Sequence, residues 1–250
     1  MMPAIPGFPD TLPAGFDHQL DSVTHLSYQA WKWATKAEWD RAAGEMGMLL
    51  SDGSTYLLGE SDPANARLIE WVAFETQRDG RPIITAAAED LGRGLSAGDL
   101  DILAALQRSS WSLMRIEEHR RGIGARMCDL WTDEQRIVLS RRLEQQVPVG
   151  AHLLVRTVTV GDCTTMTALI ARITQEVLDR LTGSILESGR SAFEVIADDP
   201  ELRRKFVRKT FALPTVPRPA IPLTGGNRQR NMPCPCGSGR KFKVCCGRGR

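Results

Sequence analysis

Through the first hundred residues of the chain, apolar positions recur three and four apart; between Ser110 and Leu169 the repeat shortens to two, and afterwards it lengthens again. The longer period is that of a helix with one buried face, the shorter that of a half-buried strand. "SVTHLSYQAWKWA" and "TKAEWDRAAGEMGML" therefore read as helices, the second opened by Thr35 and Glu38 in a capping-box pattern. Ser61-Asp62-Pro63 marks another helix start, followed by an apolar stripe of Leu68, Trp71 and Val72 with Thr76. Ser96 and Asp99 cap a further helix carrying Leu100, Leu103 and Leu106.

Five strands follow: "WSLMRIEEHR", "ARMCDLW", "EQRIVLSR", "AHLLVRTVTV" and "CTTMTAL", with Gly161-Asp162 as a two-residue hairpin turn between the last two. Strands this short and closely spaced predict a small antiparallel sheet, with a tendency to curl towards a barrel. Helices return at "ALIARITQEVLDRLTGSIL", where Ile170, Ile173, Val177, Leu181 and Ile185 share a face, and at "PELRRKFVRKTF". The expected fold class is α+β: a helical N-terminal region, a five-stranded antiparallel sheet, C-terminal helices and a tethered zinc knuckle.

Proline and glycine divide the rest. Residues 1–16, with Pro3, Pro6, Pro9 and Pro13, predict an extended lead. Residues 17–212 form the body, as helices over 17–109, the sheet over 110–168 and helices over 169–211. Residues 213–230 hold Pro214, Pro217, Pro219, Pro222 and Gly225-Gly226, a stiff spacer ending in a flexible joint. Residues 231–250 are the knuckle.

With 42% hydrophobic and 25% charged residues, the composition is that of a globular protein. No apolar run is long enough for a spanning helix, and the opening "MMPAIPGFPDTLPAGFD" lacks the basic and apolar regions of a secretory signal. Together these predict a cytoplasmic protein with reduced thiols. The net charge of +2 conceals an asymmetry: Arg203 to Arg250 contains 13 basic residues and no acid, leaving 19 basic against 30 acidic residues in positions 1–202. An acidic body thus carries a basic tail, which points to an anionic partner: an acidic protein face or nucleic acid.

Four of the six cysteines, Cys234, Cys236, Cys245 and Cys246, fall within "NMPCPCGSGRKFKVCCGRG". Two close thiolate pairs separated by a short turn suit one tetrahedral zinc ion, and Gly237-Ser238-Gly239 supplies the reversal. Four protein ligands leave no open coordination position, so the site would be structural, with metal binding supplying the folding energy of a segment too small for a core. The competing readings are a disulfide, disfavoured in a reducing compartment, and reactive thiols.

"PCPCGSGRKFKVCCG" resembles the SEC-C motif, the zinc-binding element at the C-terminus of the translocase ATPase SecA, which also recurs as a tail on unrelated bacterial proteins. The resemblance covers Pro233, both cysteine pairs, the Gly-Ser-Gly turn, Arg240, Lys241, Phe242 and Lys243, and it implies zinc as the bound metal. In SecA this module is implicated in contacting the acidic chaperone SecB and the ribosome, so the resemblance implies an adaptor, with Arg240, Lys241, Phe242 and Lys243 at the contact. No G-x-x-x-x-G-K-[ST] phosphate loop precedes it.

Candidates for catalysis in the body are few. Cys128 and Cys163 fall on predicted strands, with His119 and His152 near them in sequence, so a Cys/His nucleophilic pair is one reading and small buried thiols the better supported one. The histidines are too few and too scattered for a metal motif, and His18 and His25, whose spacing of seven lets them share a helix face, read better as a solvated or packed pair; Glu89, Asp90, Asp99 and Asp101 stand at or near helix starts, where they answer the dipole. Of the tryptophans, Trp31 and Trp33 cannot both face one side of a helix, so one is expected at the surface and the rest in the core. The leading expectation is a non-catalytic zinc-binding adaptor; the alternatives are an enzyme within residues 17–210 recruited by the tail, and a nucleic-acid-binding protein.

Overall fold

The structure is a computed structural model, and it describes residues 7–48, 63–141, 143–183, 187 and 189–212. The spacer and the knuckle, with every expected metal ligand and contact residue, lie outside the described residues. Helix α1 (Phe16–Ala30) buries Phe16, Val23, Leu26 and Ala30, a spacing of seven, three and four that keeps one face inward. A single 3₁₀ turn (Trp31–Trp33) leads to α2 (Lys36–Glu45), which opens with a complete capping box. The Thr35 hydroxyl accepts the Glu38 N–H at 3.3 Å, and the Glu38 carboxylate accepts the Thr35 N–H at 2.7 Å.

Helix α3 (Pro63–Phe74) buries Leu68, Trp71 and Val72. A minimal ladder of β1 (Gln77–Arg78) and β2 (Arg81–Pro82) follows, turned at Asp79 and Gly80, both at positive φ. The short helices α4 (Ile83–Ala86) and α5 (Ala88–Gly92) then lead to α6 (Ala97–Arg108), whose first turn Ser96 caps through the Asp99 N–H. Helix α6 buries Ile102, Leu103, Ala105 and Leu106; Leu100, expected on the same stripe, lies largely in solvent.

The expected small antiparallel sheet is not what forms. Strands β3 (Ser110–Arg120), β4 (Gly124–Asp129), β5 (Glu134–Leu139), β6 (His152–Val160) and β7 (Cys163–Ile173) close into a barrel in the order β3-β4-β5-β7-β6. The barrel is mixed rather than antiparallel, because β5 meets β7 in parallel at Val138 and Thr164. Closure comes from the length of β3: its second half pairs with β4 while its first half pairs with β6, from Ser110 opposite Thr157 to Arg115 opposite His152. Both closing contacts are remote in sequence, whereas the hairpin at Gly161-Asp162 is local, and only local turns are written in the chain's punctuation.

Alternation sorts the strand residues between two cores. Met114, Ile116, Ala125, Met127, Val138, Leu153, Val155 and Met166 fill the barrel, with Leu143 and Val147 packed among them from the turn of helix α7 (Leu143–Gln146) between β5 and β6. Trp111, Leu113, Leu154 and Ile173 point outward, into a core shared with the helices. Gly124 has no alternative residue: at φ 158°, a Cβ would stand 2.1 Å from the Val138 carbonyl oxygen of the paired strand.

The last strand also runs further than the periodicity implies. Residues 169–173, expected to open a helix, belong to β7: Ile170 faces the barrel interior, whereas Ala171 and Ile173 face the helices. In "TALIARI" the apolar residues satisfy both periods, and pairing with β6, Leu153 opposite Arg172 and His152 opposite Ile173, decides between them. Helix α8 therefore starts only at Gln175 and runs to Gly183, followed by α9 (Ala192–Asp198) and α10 (Pro200–Ala212). Helix α10 lays Phe206, Val207 and Phe211 on the outward-facing core, with Phe211 against Trp111 at 5.0 Å between ring centroids.

Candidate functional site

Where α3 and α10 meet the barrel, a chain of charged side chains runs through the core. Arg156 on β6 is 3% exposed, its guanidinium stacked between the Phe74 ring, 4.3 Å away, and the Trp111 ring at 4.7 Å. Such a sandwich satisfies the cation's faces, leaving its edges to be met by acceptors. Nη1 donates to the Ser109 carbonyl at 3.0 Å, Nη2 to Glu75 Oε1 at 2.5 Å, and Nε lies 3.4 Å from Glu70 Oε1. Glu75 Oε1 also accepts the Trp111 indole N–H at 2.9 Å. The chain continues to Arg204 on α10, which donates to Glu45 Oε2 at 2.9 Å and to the Glu75 backbone carbonyl at 3.1 Å, and sits 5.0 Å from the Trp71 ring. Trp71 donates in turn to Glu45 Oε2 at 2.9 Å.

Three carboxylates thus face two guanidinium groups. Glu70, 7% exposed, accepts the Thr167 hydroxyl at 2.8 Å, but burial pushes its carboxyl up to about 7 against the opposing pull of Arg156. The physical reason is division of the cation: Arg156 gives its short contact to Glu75, so Glu70 is desolvated without full compensation. When Glu70 is protonated the network is neutral. Its sequence signal is a charged residue at a buried phase, Glu70 within "LIEWVAF" and Arg156 within "LLVRTVTV".

A cleft of about 460 Å³ opens beside this network, between the start of α10 and the ends of α2 and α3; Arg41, Glu45, Glu75, Thr76 and Arg204 are among its lining residues. A shallower recess of about 210 Å³ shares Glu75 and Arg204 with it and reaches Arg156 and Trp111.

The Cys/His candidates do not meet. Cys128 on β4 and His152 on β6 both stand opposite Arg115 on β3, on either side of it, so two strand spacings of about 5 Å each separate them. Burial raises the Cys128 thiol, and burial followed by the Arg115 charge lowers His152, the reverse of an activated thiolate beside an imidazolium. His119 Nε2 lies 2.8 Å from the Val147 carbonyl, and Cys163 packs with Phe8, Leu12, Leu20 and Ile137. Among the described residues, no cluster of three or more His, Cys, Asp or Glu is placed to hold a metal ion. Trp71 and Trp111 are buried, Trp31, Trp39 and Trp131 pack against the core, and Trp33 is 42% exposed.

Comparison with known proteins covers both parts of the chain. A family of unknown function, DUF7986, matches residues 27–195, which takes in the barrel and all but the outermost helices. The chain belongs to the DUF7986 family. The SEC-C motif matches residues 230–248, the segment that holds Cys234, Cys236, Cys245 and Cys246. Protein translocase subunit SecA of Trichlorobacter lovleyi is 35% identical over 81 residues, 32% of this chain and 9% of the relative. SecA of Geotalea uraniireducens is 46% identical over 48 residues, 19% and 5% of the two chains, and SecA of Treponema pallidum 60% identical over 30 residues, 12% and 3%. The chain thus spans less than a tenth of the length of these curated relatives. No solved structure matches the chain. Among the described residues, no helix is long and apolar enough to cross a membrane.

The donor set fits the metal that the motif implies. Four cysteines arranged C-x-C, eight residues, C-C match in number and type the soft sulfur donors that a closed tetrahedral zinc site takes.

Proposed function

We propose that the protein is a non-catalytic, cytoplasmic accessory protein whose C-terminal SEC-C segment binds zinc through Cys234, Cys236, Cys245 and Cys246 and docks on an acidic protein surface, either a SecB-like chaperone or a ribosomal protein. The observation that carries this reading is the SEC-C match at residues 230–248 with all four thiols in place. Bound zinc would cross-link the two cysteine pairs and supply folding energy to a segment too small to bury a core. The thiolates would hold the ion, and their four negative charges would leave the site at about minus two after the metal's charge is counted.

Arg228 to Arg250 contribute seven cationic side chains, so the segment stays net positive with metal bound. Arg240, Lys241 and Lys243 would provide the attraction, and Phe242 the apolar contact between them. Residues 213–230 would serve as the tether between the body and the docking segment.

Binding of the full chain to purified SecB-type chaperone and to ribosomes, measured by interferometry and co-sedimentation, tests this reading. Binding to one of them that is lost in a Cys234→Ser/Cys236→Ser double variant is the expected result. A double variant that has lost its metal and still binds with full affinity would remove the role assigned to the knuckle.

A further inference from the structure

We propose that the outer face of β4 and β5 is a docking groove for a partner's peptide segment, one carrying an aromatic residue, an acid and a leucine at alternate positions. Phe8, Asp10 and Leu12 of the chain itself have that spacing, and residues 7–12 occupy the groove as an intramolecular stand-in. The connectivity of the barrel singles out this face. Counted from β3, the strands are ordered first, second, third, fifth, fourth; the long first strand closes on the fourth, and the third runs parallel to the fifth. Helix α7 falls between the third and fourth strands and packs Leu143 into the interior. This is the connectivity of an OB-type Greek-key barrel, which takes chain-like ligands such as oligonucleotides and oligosaccharides on the face of its second and third strands and at the loops after its first and fourth. Here those parts are β4, β5, residues 121–123 and Gly161-Asp162.

The N-terminal segment lies on that face. Phe8 and Leu12 pack in one cluster with Ile123 from the first of these loops, Ile137 and Leu139 of β5, and Cys163 at the edge of the second loop. Arg126 of β4, paired with Ile137, sets its guanidinium 5.8 Å from the centre of the Phe8 ring. Arg120 donates to the Phe8 carbonyl at 3.4 Å and to Asp10 at 3.2 Å. Apolar side chains and arginines thus meet an aromatic ring, a leucine and a carboxylate, and a competing segment has to match that chemistry. It suits a peptide better than a nucleic acid. Neither β4 nor β5 carries an aromatic side chain on which a base could stack, and positions 1–202 hold 30 acidic against 19 basic residues.

The segment is held loosely enough to be exchanged. No residue from Gly7 to Gly15 is buried, and the Asp10 side chain is 99% exposed, so its ion pair contributes little. Among the described residues, no backbone hydrogen bond joins residues 7–12 to a strand. Gly15 turns the chain into α1 at φ 78°, a conformation open to glycine, and Phe16 just beyond it is 2% exposed, so the firmly packed chain begins there. A segment with few buried contacts and no ladder belongs to the low-stability end of a fold and opens locally without unfolding the rest. The groove lies wholly in the body and does not depend on zinc binding by the tail.

The test titrates a labelled synthetic peptide of residues 7–14 with the full chain and with a full-chain Phe8→Ser/Leu12→Ser variant, read by fluorescence anisotropy. The expected result is one-to-one binding to the variant, about tenfold or more tighter than to the wild type, where the tethered segment competes for the groove. The variant should melt with the wild type, Phe8→Ser in the peptide should abolish binding, and adding Arg120→Glu to the variant should weaken it about twofold or more. The proposal is overturned if the variant binds no peptide at millimolar concentration, or binds it no better than the wild type does. A large fall in the melting temperature of the variant would overturn it too, by making residues 7–12 part of the core. Uptake of a labelled single-stranded oligonucleotide by the variant in place of the peptide would overturn it in favour of a nucleic-acid face.

Discussion

Glu38 and Glu70 are both buried carboxylates on helices, yet they load the pH dependence of stability in opposite directions. Glu38 receives two bonds from Arg78, at 2.9 and 2.7 Å, and those bonds, with the Thr35 contacts, hold its carboxyl down to about 2. A depressed carboxylate stabilises the fold above the unfolded value near 4.5, and that contribution is lost as pH falls towards 2. Glu70 is raised, so its protonated form is the one the fold prefers: stability is fully present below about 4.5 and is lost as pH rises through about 7. Thermal melts between these two values should show a downward slope with rising pH that Glu70→Gln flattens and Arg78→Leu does not. An unchanged slope in Glu70→Gln would place the titration elsewhere. The other half of the network is more costly to disturb. Arg156→Leu leaves Glu70 and Glu75 without their shared cation, and urea unfolding should report a loss of about 3–5 kcal/mol.

Among the elements, the barrel is where the sequence was least legible. The helix starts at Thr35 and Ser96 follow from side chains that bond within three residues of themselves, and local chemistry of that kind is readable without a structure. Closure of β3 on β6 and the parallel contact of β5 with β7 depend on pairings between distant segments, for which alternation specifies a face but no partner. The ion network was hidden for a related reason: Glu45, Glu70, Arg156 and Arg204 come from four elements and Glu75 from the turn after α3, and only Glu70 and Arg156 stand at buried phases. Two substitutions test the closed barrel. Gly124→Ala drives a methyl into the Val138 carbonyl and should cost about 3 kcal/mol or more. Leu143→Ala empties a site among the interior side chains and should cost about 2–5 kcal/mol. Denaturant melts that left either variant at wild-type stability would be inconsistent with a sealed interior.

At the scale of the whole molecule, an acidic body and a basic cysteine-bearing tail divide the chemistry between them. Several of the body's arginines are paired internally: Arg120 with Asp10, Arg126 with Glu118, Arg136 with Glu134 and Arg141 with Asp17. The tail from Leu213 onwards carries eight basic residues and no acid of its own, so the proposed docking would set its charge against an acidic partner. Docking by such a tail should weaken as salt rises, because exposed charges are screened over about 8–10 Å at physiological ionic strength. A complex indifferent to salt would argue for an apolar contact instead.

Everything proposed for the tail rests on zinc binding by its four cysteines. The most direct measurement is therefore elemental analysis of the purified full chain beside the Cys234→Ser/Cys236→Ser variant. The account predicts about one zinc per full chain and none in the variant, with the body's melting transition the same in both. A full chain free of zinc, or a variant that retains it, would contradict the assignment of Cys234, Cys236, Cys245 and Cys246 as the ligands.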